Sequence, residues 1–223
     1  MLINSIEGDP FHDGVLYVAG TRYKMGDFKP YLYYTQNYGQ DWVEINNGIQ
    51  PEHFTRVIRA DKNREGLLYA GTETGVYISF NNGANWESLQ LNLPIVPITD
   101  MTLKDEDLIV ATQGRSLWIL DNINVVQQAQ NSILQKSHHL FQPATVYRMD
   151  GGQNTKVKGS GVNHAAGLQL HYYLAVDPDS CSVEMIITDE KGDTCRHFST
   201  SASDKANKMK VQQGAGIFSW NLN

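Results

Sequence analysis

Cysteine is scarce: Cys181 and Cys195 are the two in 223 residues, too few for a disulfide framework and without the paired spacing of a zinc site. They flank an expected hairpin at Asp189-Glu190-Lys191-Gly192. With Glu190 and Lys191 as its loop, Cys195 falls opposite Ile186 and Cys181 several residues away, so this register brings no two sulfurs together. An excess of cations is lacking too. The 18 basic against 24 acidic residues leave a formal charge of -6, and the Lys and Arg are scattered, which excludes the basic stripe of a nucleic-acid binder. No window approaches 18 consecutive apolar residues, so no membrane-spanning helix is expected. Met1 to Pro10 lack a basic stretch, an apolar stretch and a small-residue cleavage site. If the protein is exported, its signal lies outside these residues. The seven histidines, His138-His139 among them, show no metal-ligand pattern, and there is no phosphate-cradling glycine loop or nucleophile elbow. Neither a cofactor nor a metal is expected.

What is present is self-similarity. Thr35-Gln36-Asn37-Tyr38-Gly39-Gln40-Asp41-Trp42 returns as Ser79-Phe80-Asn81-Asn82-Gly83-Ala84-Asn85-Trp86, shifted by 44 residues. Upstream, Asp9 and Gly14-Val15-Leu16-Tyr17 match Asp61 and Gly66-Leu67-Leu68-Tyr69 with a shift of 52. The difference is an eight-residue insertion in the first unit, around Arg22 to Pro30. A weaker third copy follows at Asp107 to Thr112 and Ser116 to Leu120, without the Asn-x-Gly-x-x-Trp turn. Each unit contains short apolar runs separated by turn residues, the pattern of an antiparallel sheet. In the second unit the strands are expected near 54–60, 67–72, 75–80 and 85–90. The octapeptide reads as the tight turn between the third and fourth strands. Asn37 and Asn81 supply side-chain hydrogen bonds, Gly39 and Gly83 supply permissive backbone, Thr35 and Ser79 supply hydroxyls that tie the turn, and Trp42 and Trp86 anchor it. A repeated four-stranded unit of this length, unable to bury both faces alone, is the pattern of a β-propeller blade.

The octapeptide resembles the Asp-box, or bacterial neuraminidase repeat, with Asn37 and Asn81 at its usual Asp position. Leu93 to Asp100 followed by Asp107 to Asp121 is similar to the last blade of bacterial sortilin-like, glycosyl hydrolase-like propellers, and Gly167 to Leu174, Asp189 to Arg196 and Gly216 to Leu222 resemble the immunoglobulin-like module that follows it. The expected fold is therefore all-β: a partial propeller of about three four-stranded blades over 1–121, a short amphipathic helix and return strand over 122–150, and an immunoglobulin-like β-sandwich, short for a complete one, over 151–223. The helix is read over Asn122 to Lys136 from the spacing of Ile123, Val126, Ala129 and Ile133, and a linker over Asp150 to Gly161. The resemblance implies a secreted, periplasmic or envelope protein, and it identifies architecture far better than activity.

Closed propellers normally have four to eight blades, so about three blades imply a partner: missing blades or a second copy of the chain. The loops near 21–30, 46–54, 72–75, 91–97 and 112–115 are placed on one face, where Arg22, Tyr23, Lys24, Phe28, Tyr31, His53, Glu73 and Arg115 are the candidate ligand-binding residues, with Asp27 beside them. Cations mixed with aromatics suit a glycan or a peptide. Glycoside hydrolysis needs two carboxylates flanking the scissile bond. Glu52, Glu73 and Asp100 are the carboxylates expected near the channel mouth, and no complete pair is legible, so no catalytic residue is assigned. A sialidase-like triad of Arg56, Arg59 and Arg115 is disfavoured, because Arg56 and Arg59 lie three apart on a strand and point to opposite faces. The leading reading is a noncatalytic binding or scaffold segment. The alternative is a glycoside hydrolase-like propeller whose carboxylates lie partly outside the chain.

Overall fold

The computed structural model describes residues 1–147 and 167–222. The chain divides into two compact units, Met1–Ile123 and Asn124–Asn223, and its regular structure is nearly all strand.

The first unit is three consecutive antiparallel meanders. Strands β1 (Leu2–Gly8), β2 (Leu16–Arg22), β3 (Asp27–Thr35) and β4 (Val43–Glu44) form the first sheet. The second contains β5 (Thr55–Ala60), β6 (Leu68–Thr72), β7 (Val76–Ser79) and β8 (Glu87–Ser88), and the third β9 (Ile98–Lys104), β10 (Asp107–Thr112) and β11 (Leu117–Leu120). In each sheet every strand pairs with the next in sequence, as short turn-linked apolar runs dictate.

The sheets bury one another's faces. Between the first two lies a core of Tyr17, Ala19, Leu32 and Ile45 against Ile58, Ala60, Leu68, Ala70, Tyr77 and Trp86. Because side chains alternate along a strand, the other face of the second sheet is free to meet the third, and every residue of β6 and β7 is buried. Such continuous apolar runs mark a strand covered on both sides.

The two octapeptide turns are built alike. Thr35 Oγ1 accepts from Gly39 N at 3.0 Å and donates to Asn37 Oδ1 at 3.0 Å, while that oxygen accepts from Asp41 N at 2.9 Å. Ser79, Gly83, Asn81 and Asn85 repeat the pattern at 2.9, 3.0 and 2.9 Å. Tyr38 and Gly39 have φ of 57° and 84°, and Asn82 and Gly83 have 56° and 82°, two successive left-handed residues that explain why glycine stands at the second. Deeper in each sheet Tyr17 and Tyr69 donate to Asp9 and Asp61. Burial pushes both phenols well above their ordinary pKa.

Among the described residues the third sheet keeps the repeat's frame with three strands and no fourth. Thr112 N donates to Ser116 O and Gln113 N to Pro97 O, as Thr72 N does to Gly75 O and Glu73 N to Phe54 O.

In the second unit β12 (His138–Leu140), β13 (Leu168–Leu174) and β16 (Gly214–Trp220) form one sheet, and β14 (Glu184–Thr188) with β15 (Thr194–Ser199) another. Phe198 of β15 packs edge-on against Phe218 and Trp220 of β16, with centroids 4.9 and 6.3 Å apart. The β14–β15 register differs from the expected one. Ile186 faces His197, and Cys195 falls at an irregularity. Asp189 Oδ1 accepts from both Lys191 N and Asp193 N, which closes a loop one residue longer than the expected Glu190-Lys191 turn. Both cysteines are free and exposed. The helix expected over Asn122 to Lys136 is broken into α1 (Asn124–Gln128) and a 3₁₀ turn, Asn131–Gln135, separated by extended Gln130. The expected linker lies outside the described residues.

Candidate functional site

The eight-residue insertion lengthens the β2–β3 hairpin and tops it with a 3₁₀ turn, Tyr23–Met25, closed by Gly26 at φ 73°. Asp27 fixes the returning strand. It accepts from Tyr31 Oη at 2.5 Å and from Lys29 N at 3.2 Å, and Arg22 approaches it at 3.6 Å. The Tyr31 bond holds the Asp27 carboxyl below the usual carboxylate range and raises the Tyr31 phenol. The Arg22 guanidinium lies 5.8 Å from the centre of the Tyr31 ring, within cation–π range.

Phe54, at the entry to β5, is the hub that the sequence did not single out. Tyr23 stacks on it at 5.2 Å with a 15° interplanar angle, and Phe28 tilts against it at 6.1 Å. Arg56 lies 5.3 Å from the Phe54 ring centre and donates through Nε to Glu73 Oε2 at 2.7 Å, with Nη2 2.5 Å from the same oxygen. Glu73 N donates to Phe54 O. The loop between β6 and β7, the start of β5 and the inserted hairpin thus converge on one ring.

The structure therefore brings together Arg22, Tyr23, Phe28, Tyr31 and Glu73 of the candidates, and adds Phe54 and Arg56. Lys24 is exposed on the same 3₁₀ turn. His53 turns to the core, its Nδ1 2.8 Å from Tyr77 Oη. Arg115 is exposed in the β10–β11 loop, where its carbonyl accepts from Trp118 Nε1. Arg56 and Arg59 serve different carboxylates. Arg59 reaches Asp100 at 2.5 Å, Ser5 at 2.8 Å and Met101 O at 2.7 Å, and lies 3.6 Å from Glu7. That network ties the three first-unit sheets through β1, β5 and β9. Burial raises the Glu7 carboxyl above its ordinary value.

No protein-family model matches the chain, and no curated protein sequence matches it. Solved structures do. The chain is similar to the GH74 xyloglucanase from Xanthomonas campestris at 14% identity over 52% of this chain and 20% of that one, with a TM-score of 0.41. It is similar to an ancestral GH74 enzyme at 15% identity over 88% and 27%, with a TM-score of 0.44. YCF48 bound to D1 peptide is 15% identical over 87% and 52%, with a TM-score of 0.37. The matches thus span from a fifth to about half of those structures' own lengths.

Proposed function

We propose that the first unit is an arc of stacked blades from an Asp-box-type β-propeller, that the second is the immunoglobulin-like module of such proteins, and that the chain is a noncatalytic binding or scaffold segment of a larger secreted or envelope-associated protein. Its partners are missing blades or a second copy, and its ligand is a glycan or a peptide. The observation that carries the binding reading is the cluster on Phe54: exposed Tyr23 and Phe28 rings beside the Arg22 and Arg56 guanidiniums. Aromatic faces stack on sugar rings or side chains while the cations take up carboxylates or carbonyls. Glu73, which a hydrolase would need as an acid or base, is held by Arg56.

One observation favours the hydrolase reading. Glu7, with its raised pKa, shares Arg59 with Asp100, and carboxylates in unlike environments are what acid–base pairs are made of. The discriminating experiment screens the full chain on glycan and peptide arrays, then measures affinity by titration calorimetry for the parent and for Arg22→Ala with Tyr23→Ala. Because both side chains are exposed, melting should move by no more than a few degrees while affinity falls about tenfold, roughly 1.4 kcal/mol. Unchanged affinity would remove the site. Reducing-sugar release abolished by Glu7→Gln would replace binding with hydrolysis.

A further inference from the structure

The outer face of the first sheet holds an apolar depression of about 460 Å³ lined by Ile3, Ile6, Leu16, Val18, Tyr33 and Trp42. The internal repeat says what such a face meets. Shifted by 52 residues on the first two strands and by 44 on the rest, Ile6, Leu16, Val18, Tyr33 and Trp42 become Ile58, Leu68, Ala70, Tyr77 and Trp86. Those five are among the six side chains, Ala60 being the other, with which the second sheet packs on the first. The strand pairing agrees, since Ile6 faces Val18 as Ile58 faces Ala70. Ile58 and Trp86 are 0% and 3% exposed, whereas Ile6 and Trp42 are 65% and 44% exposed. The first sheet thus presents a front face without the rear face that the repeat places against it.

A rear face of the same kind is exposed at the other end of the unit. The rear residues Tyr17, Ala19, Leu32 and Tyr34 of the first sheet correspond to Tyr69, Gly71, Val76 and Ile78 of the second and, through the shared Thr112 and Thr72 turns, to Ile109, Ala111, Leu117 and Ile119 of the third. Leu32 and Val76 are 0% and 2% exposed in their stacks, and Leu117 is 67% exposed.

We propose that the front face of the first sheet docks on the rear face of the third sheet of a second copy of this chain. The contact repeats the stacking already made twice within the unit. The fourth strand decides between this occupant and a complete four-stranded sheet. Trp86 Nε1 donates at 2.7 Å to Ile45 O, just beyond the fourth strand of the sheet before it. Trp42 Nε1 donates instead to Gly39 O of its own turn at 3.0 Å, so it needs no such carbonyl, and the third sheet, which has three strands among the described residues, offers none there. Front against rear is a heterologous contact. Made twice between two copies, it gives a closed six-sheet ring, within the range of propellers.

The proposal rests on the stacked sheets and not on the ligand site. The test is light scattering during size exclusion of the full chain, which has a mass of 25.0 kDa, with Ile6→Lys, with Ile119→Lys, and with Arg22→Ala plus Tyr23→Ala. Both isoleucines are exposed in one copy, so circular dichroism and melting of the lysine variants report an intact fold. The parent and the Arg22/Tyr23 variant should run as dimers. Ile6→Lys and Ile119→Lys should each run as monomers, and mixing the two should restore a dimer, because one good front and one good rear remain. A monomeric parent, or a dimer broken by Ile6→Lys alone as in front-to-front pairing, overturns the proposal.

Discussion

At the residue scale the octapeptide turn is tied by a single side-chain oxygen. The Oδ1 atoms of Asn37 and Asn81 accept from the backbone four residues on at 2.9 Å in both copies. One oxygen in the right place suffices. The same pair of turns supplies a controlled comparison. A Cβ on Gly39 would sit 3.4 Å from Trp42, whereas one on Gly83 would sit 2.6 Å from Ile45 Cδ1. Gly39→Ala should therefore cost about 1 kcal/mol of left-handed backbone strain. Gly83→Ala should cost that plus about 1 to 3 kcal/mol of overpacking. Urea titration of the two variants checks the order, and equal losses would mean that Ile45 yields freely. Trp86→Ala should cost about 3 to 5 kcal/mol as a buried aromatic, and Trp42→Ala clearly less within one copy. These turns were legible in the sequence because their chemistry is local. The β14–β15 register was not, because Asp193 N also donates to Asp189 Oδ1, which lengthens the loop by one residue, and the irregularity at Cys195 shifts the strands by one more.

At the scale of elements the strands of the second sheet fall close to where their apolar runs place them, since a run buried on both faces leaves little room for another structure. The connecting helix failed for the converse reason. Ile123, Val126, Ala129 and Ile133 have helical spacing, but only Ile123 and Ile133 are buried, and an isolated helix this short has little intrinsic stability. Phe54 escaped notice because its role depends on long-range geometry: the inserted hairpin must fold over β5 before Tyr23 and Phe28 can meet it. Glu7 was missed likewise, since its partners Arg59 and Ala60 N come from β5, more than fifty residues away in sequence. Its raised pKa has a definite sign. The folded chain binds that proton more tightly than the unfolded one, so the contribution of Glu7 is full below the ordinary glutamate range and is lost as pH rises through the folded value. The melting temperature of Glu7→Gln relative to the parent should therefore rise between pH 4 and pH 7, and a flat difference would show Arg59 and Ala60 N compensating its burial in full.

At the scale of the molecule the internal repeat explains both what is buried and what is not. One rule, front face on preceding rear face, accounts for the two cores of the first unit and for the exposed Ile6, Trp42, Leu117 and Ile119 at its ends. The aromatic and cationic cluster around Phe54 sits where loops meet the strand ends, and a rigid stack can carry varied side chains there. Amide hydrogen exchange of the full chain at low and high concentration tests this rule most directly. β5 to β7, covered on both faces, should exchange slowest at both concentrations, and protection of β1 to β3 and of β10 and β11 should rise with concentration. A middle sheet that exchanges as fast as its neighbours, or outer faces indifferent to concentration, would contradict it.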